Sequence, residues 1–253
     1  MDGIKQLNNV VSSDHVRPIL TRKNTLLHMI DSYQKINGVS LTLIPPKSKI
    51  PDDWNWLPDS AINSGSGLGL VKIPTQQIKS INSFAVAPPF PIYDEYKGSS
   101  LTKLKTVVDQ FFTVGLILIR LGHAAIAIAE NENIVLTKVV HRYVRTSHKK
   151  GGQSANRFKR NREKWIQEFF HLVSQTATDR FNGYTGKLDW LAIGGDKYVV
   201  SDFIKKTTLP RNLSNKILPW RTPVTKPGIS QFHPAVKAIW SSRVFHHPSE
   251  YQC

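Results

Sequence analysis

The stretch VGLILIRLGHAAIAIAENENIVLTKVVHRYV, Val114 to Val144, holds three apolar runs separated by two tight turn signals. The runs are Val114 to Leu121, His123 to Glu130 and Asn133 to Val144. Leu121-Gly122 and Asn131-Glu132-Asn133 leave so little chain between them that neighbouring runs are expected to pair as an antiparallel meander. Downstream, Asn156 to Phe181 places Phe158, Trp165, Ile166, Phe169, Phe170, Val173 and Ala177 on a helical period, opposite Arg160, Lys164 and Gln167. Trp165 and Phe169 on that helix are read as core rather than as base-stacking residues. LDWLAIGG, Leu188 to Gly195, reads as a buried strand closed by a Gly-Gly turn, and VSDFIKKTT as a helix capped by Ser201 or Asp202.

Upstream the pattern is looser. The first twenty residues are polar, and Leu26, Leu27, Met29, Ile30 and Tyr33 then suit a helix capped by Asn24 or Thr25 and stopped by Asn37-Gly38. Val39 to Pro46 alternates like a strand and ends at a proline pair. Lys47 to Leu70 reads as a long loop with a short helix, and Ser80 to Tyr96 as a strand followed by a proline-stiffened connection. The expected division is residues 1–100 and 101–253.

Composition narrows the partner. The chain has 34 Lys and Arg against 18 Asp and Glu, a formal charge of +16 and a pI near 10.0. Self-repulsion of that size is best relieved by a polyanion, which makes nucleic acid the leading partner and an anionic membrane surface the second. No run reaches the roughly 18 apolar residues of a spanning helix, because Thr113 to Glu130 is broken by Arg120, Gly122 and His123. The N-terminus lacks the charged-then-apolar layout of a secretory signal. Cys253 is the only cysteine, so neither a disulfide framework nor a cysteine metal site is expected, and a reducing cytoplasm fits. His246-His247 reads as a solvated pair.

Between the meander and the long helix lies HKKGGQSANRFKRNREKW, His148 to Trp165. A phosphate-binding loop of the P-loop kind fails here, since the four-residue glycine spacing and the following Gly-Lys-Ser/Thr are missing. A dinucleotide fingerprint fails for want of a third glycine and a suitably placed acid. Another reading fits. Lys149, Lys150, Arg157, Lys159, Arg160, Arg162 and Lys164 neutralise phosphates around a tip that is itself small and uncharged. Gly151-Gly152 lets backbone N–H groups approach a reacting centre, and Gln153 adds an acceptor and two donors without a charge to desolvate. Such a tip can orient a water and stabilise an oxyanion. It carries no strong base, with His148 the only titratable group of suitable pKa nearby, so its chemistry leans on groups supplied by the partner.

KKGGQSANRFKRNREKW resembles the Gly-Gly-Gln segment of the archaeal and eukaryotic class 1 peptide-chain release factors, including the following Ser-Ala and Arg-Phe and the long basic-then-amphipathic helix. The resemblance extends over about residues 105–245, through the strands before the loop and LDWLAIGG after it. It implies an α/β fold, a mixed β-sheet flanked by helices like the middle domain of that family, with a smaller α+β N-terminal unit. SLTLIPPKSKIP, Ser40 to Pro51, is similar to a helix–strand–Pro-Pro segment of the family's N-terminal domain. Residues 1–100 are thus expected to form a reduced N-terminal-like domain, and residues 101–253 the catalytic one.

The stop-codon reader is not convincing: Ile78-Lys79-Ser80 echoes a decoding tetrapeptide, but Gln77 stands where Asn is required. The family's Cys-containing decoding motif is missing, and no room is seen for the domain that binds the translational GTPase. These departures point to the compact Vms-like homologues, which rescue stalled ribosomes as peptidyl-tRNA hydrolases without reading a codon. By that resemblance Gly151 and Gly152 shape the tip and Gln153 holds the hydrolytic water. Ser154 and Arg157 support the helix start, and Arg145, His148, Lys149, Lys150, Ser154, Arg157, Lys159, Arg160 and Lys164 bind RNA. The implied partners are the large ribosomal subunit and peptidyl-tRNA, with no cofactor, no metal and no membrane, for a protein monomeric off the ribosome. Codon-dependent termination, a non-catalytic ribosome or tRNA binder, and a tRNA 3′-end nuclease are the alternatives.

Overall fold

The computed structural model describes residues 16–74, 81–144, 155–184, 186–219 and 227–248. Two compact units emerge, one of residues 1–110 with 241–253 and the other of residues 111–240.

The first unit is built from β1 (Ile19–Thr21), α1 (Lys23–Gln34), β2 (Ser40–Ile44), α2 (Asp59–Ile62), β3 (Leu68–Pro74), β4 (Ile81–Ala87), β5 (Tyr96–Gly98), α3 (Thr102–Val108) and the last strand of the chain, β10 (Ser242–His246). Its sheet runs β1-β10-β4-β3-β2-β5, antiparallel throughout. The pleat sends alternate residues to opposite faces. Leu41, Val71, Phe84 and Val86 meet Leu26 and Ile30 of α1 and Leu104 and Val108 of α3. Leu68, Leu70, Ala85 and Phe245 meet Trp54, Trp56, Leu57 and Ala61 on the other side. Both faces of the sheet are covered.

Several expectations change here. The boundary falls after residue 110 instead of 100, because Leu104 and Val108 bury the apolar side of α3 in the first core. Residues 241–253 leave the second unit, because β10 pairs with β4 and β1. β3 starts inside the stretch read as loop, β5 starts where the proline-stiffened connection was read to end, and α3 lies where no element was read. At the head of α1 Arg22 occupies the cap position without a side-chain cap bond, so neither Asn24 nor Thr25 caps it. His246 and His247 are half-buried beside Phe84 and Trp56 rather than solvated.

The second unit contains β6 (Thr113–Arg120), β7 (His123–Glu130), β8 (Asn133–His141), α4 (Ala155–Phe181), β9 (Trp190–Gly195), α5 (Lys197–Lys206), α6 (Arg211–Ser214) and α7 (Phe232–Ile239). The sheet order is β8-β7-β6-β9. The three-stranded meander is present as read, and β9 adds parallel to β6, which makes the sheet mixed. A parallel neighbour needs a crossover, and α4 lies within it. Thr113 and Asp189 set the register at its start. The Thr113 amide donates to the Asp189 carboxylate and the Asp189 amide donates to the Thr113 carbonyl, both at 2.8 Å. The protein is therefore mixed α/β, with its sheets flanked by helices.

β6 and β7 are buried along nearly their whole length on both faces, which explains continuous apolar runs in place of alternation. At the end of β9, Gly195 has φ +129, and a Cβ there would lie 2.0 Å from the Ile119 carbonyl oxygen. The chain turns at that point, and Asp196 accepts bonds from the Tyr198 and Val199 amides at the head of α5. The cap is Asp196, not Ser201 or Asp202, because α5 begins a full turn earlier than read.

Candidate functional site

Of the residues singled out from the sequence, Arg145, His148, Lys149, Lys150, Gly151, Gly152, Gln153 and Ser154 lie outside the described residues. Arg157, Lys159, Arg160 and Lys164 are described, all on α4 and all exposed. What the structure defines is the stem from which the Gly-Gly-Gln stretch departs and the helix to which it returns.

The stem is tied at three points. The Arg142 amide donates to the Gly122 carbonyl at 3.0 Å, joining the end of β8 to the β6–β7 turn. Gly122 has φ +83, and a Cβ there would sit 3.0 Å from the Arg142 carbonyl oxygen, so this turn needs glycine on both counts. Next to it, His123 and His141 are direct cross-strand partners with their Nδ1 atoms 2.8 Å apart and rings edge to face. Finally, the Arg142 guanidinium pairs with the Glu168 carboxylate of α4. Arg142 precedes the Gly-Gly-Gln stretch and Glu168 follows it, so one ion pair links its two flanks.

A bulge creates the histidine pair. Glu130 pairs with Asn133 and Ala129 with Ile134, but Ile128 pairs with Leu136, leaving Val135 as an extra residue in β8. Without it, His123 would face Val140 in place of His141. Neither this pair nor Arg142–Glu168 was found from the sequence. The only local signal was the spacing across the turns, which the bulge shifts by one.

α4 changes character along its length. From Phe169 onward, Phe169, Phe170, Val173, Ala177 and Phe181 are buried in the core of the second unit with Ile117, Ile126, Ile128, Leu191 and Phe203. Each of the phenylalanines contributes roughly 1.5–3 kcal/mol by burial, enough to hold the helix by that half. Residues 156–161 are exposed without interruption. Phe158 is 53% exposed, which corrects its placement on the packed face, and Trp165 is half-buried outside the core cluster, unlike Phe169. The packed apolar period therefore begins at Ile166, partly buried against that core, and does not reach the helix start.

The consequence is a basic helix start standing clear of the core. The first turn carries no acid, and the unpaired amide groups of a helix N-terminus attract anions. Arg157, Lys159, Arg160 and Lys164 add full charges, and Phe158 adds an aromatic face among them. Cations interleaved with an aromatic ring suit a nucleic-acid backbone with an unstacked base. Among the described residues no group of three or more His, Cys, Asp or Glu is placed to hold a metal ion. No described helix is long and apolar enough to cross a membrane.

Peptide chain release factor subunit 1 of Archaeoglobus fulgidus is 29% identical over 153 residues, covering 59% of this chain and 37% of its own. The protein of the same name from Pyrobaculum aerophilum is 30% identical over 139 residues, covering 53% of this chain and 36% of its own. The chain thus spans little more than a third of these curated relatives. Among solved structures, an archaeal translation termination factor, aRF1, matches with a TM-score of 0.43 and 17% identity over 86% of this chain and 70% of that one. Residues 112–245, just over half of the chain, match the model of the Actinobacteria/Chloroflexi VLRF1 release factors. That span contains the meander, its tied stem, the Gly-Gly-Gln stretch and α4, and by it the chain belongs to the VLRF1 release factor family.

Proposed function

We propose that this protein releases nascent chains from stalled ribosomes or large subunits by hydrolysing peptidyl-tRNA through Gly151-Gly152-Gln153, without reading a codon. The observation that carries this reading is an intact Gly-Gly-Gln-Ser segment, within the family span, immediately ahead of a helix whose exposed start is basic. The peptidyl-tRNA ester is attacked at its carbonyl carbon by the oxygen of a water. The bond to the ribose oxygen breaks, and the ribose hydroxyl leaves with a proton from that water. Gln153 orients the water, and backbone amides at Gly151-Gly152 steady the developing oxyanion. The tip lacks a strong base, so proton removal falls to groups of the large subunit and the tRNA. Arg145, His148, Lys149, Lys150, Ser154, Arg157, Lys159, Arg160 and Lys164 hold the surrounding RNA. In this reading the second unit is the catalytic domain and the first a reduced form of the release-factor N-terminal domain, in a cytoplasmic protein monomeric off the ribosome.

Codon independence is favoured by Gln77, which replaces the Asn of the decoding tetrapeptide, and by Cys253 being the only cysteine. The test uses purified protein with large subunits carrying labelled peptidyl-tRNA and no mRNA, beside stop-programmed ribosomes. Release from the isolated subunits is expected. Release on stop-programmed ribosomes alone would establish codon-dependent termination instead. Binding without release would make the protein a non-catalytic binder, and shortened tRNA ends would make it a nuclease.

A further inference from the structure

In a chain with nearly two cations for each acid, one cavity of the first unit has the opposite character. It encloses about 230 Å³ beside the loop Pro91–Tyr96 and the outer side of α3. Its floor is apolar, from Leu43, Ile92 and Val107, and its mouth carries Tyr93, Asp94, Glu95 and Tyr96. Tyr93 is 68% exposed, and both carboxylates are exposed as well. Among the described residues neither Asp94 nor Glu95 forms an ion pair, although other acids of the unit pair with lysines, as Asp31 does with Lys105 and Asp109 with Lys23. Gln110 closes the lining at the end of α3.

Two free carboxylates, two aromatic rings and an apolar floor describe a receptor for an alkyl stem ending in a cation. A guanidinium or ammonium gains from the carboxylates and from the ring faces together, while its methylenes cover the floor. A polyanion is repelled at this mouth. Lys103, on the rim, is the single opposing charge among the lining residues.

We infer that this cavity binds a lysine or arginine side chain of a basic polypeptide segment, and so docks the first unit on a protein partner rather than on RNA. The inference stands apart from peptide release, since none of these residues belongs to the Gly-Gly-Gln site. The experiment is fluorescence anisotropy with the full chain and a labelled eight-residue peptide alternating Gly and Arg, at about 150 mM salt, where distant charges are screened beyond about 8 Å. Asp94→Asn/Glu95→Gln is expected to weaken binding at least tenfold, Tyr93→Ala severalfold, and Lys103→Gln to tighten it at least twofold. These positions are exposed, so melting should be unaffected, and release from large subunits should continue at the wild-type rate. Equal binding by wild type and the double variant would overturn the inference. So would equal binding of a Gly-Gln peptide, or displacement by spermidine as effective as by unlabelled peptide, which would assign the cavity to free polyamines.

Discussion

Arg142 and Glu168 are joined by an ion pair across 2.5 Å, and between them in sequence lies the whole Gly-Gly-Gln stretch. Arg142 follows the last residue of β8, while Glu168 sits one residue before the buried half of α4. The pair therefore links the end of β8 to α4 on either side of the stretch.

Both partners are more than a third exposed or close to it, so the pair contributes at most about 1 kcal/mol to stability. Its larger effect is expected in positioning. Glu168→Ala should shift thermal melting by only a few degrees yet slow peptide release severalfold. The swapped double variant Arg142→Glu/Glu168→Arg should recover most of the rate. A release rate untouched by Glu168→Ala would remove this role.

The exposed start of α4 gives a salt-dependence prediction. Each lysine or arginine that touches a phosphate releases counterions on binding. Arg160→Ala should therefore weaken tRNA binding and lower the slope of log affinity against log salt by about 1. Replacing Lys159, Arg160 and Lys164 together should lower it by roughly 2–3. Filter binding between 50 and 200 mM salt, about the range over which such slopes are resolved, provides the check.

Asp196 offers a test of the second unit that does not involve RNA. Its carboxylate accepts from the Tyr198 and Val199 amides at 3.0 and 3.1 Å. Asp196→Ala should cost about 1 kcal/mol in denaturant unfolding, and Asp196→Asn much less. Ser201→Ala, at the position favoured by sequence, should change little.

How much of this was legible depended on whether the signal was local. β6, β7 and β8 were readable because their apolar runs are cut by Gly122 at φ +83 and Asn131 at φ +53, residues suited to those turns. β3 was not, because Gly67 and Gly69 made its start look like loop, although Leu68, Leu70, Val71 and Ile73 are all buried. β5 is three residues long and exists only through its pairing with β2. On α4 the helical period correctly located Phe169, Phe170, Val173 and Ala177, but it cannot tell where a helix leaves the core, so Phe158 was misplaced. At the site, the residue types in HKKGGQSANRFKRNREKW carry the proposed reading, and residues 148–154 of that stretch lie outside the described residues. The stem did not show, because His123–His141 depends on the extra residue Val135 and Arg142–Glu168 on the return of α4 over the sheet.

The most direct measurement is single-turnover release of labelled peptide from isolated large subunits by wild type and by Gln153→Ala, with subunit binding measured in parallel. Removing a group that acts on the reacting water should slow release by about 100-fold or more while leaving binding unchanged. Release by Gln153→Ala at the wild-type rate, or loss of release fully matched by loss of binding, would contradict hydrolysis at a Gly-Gly-Gln tip.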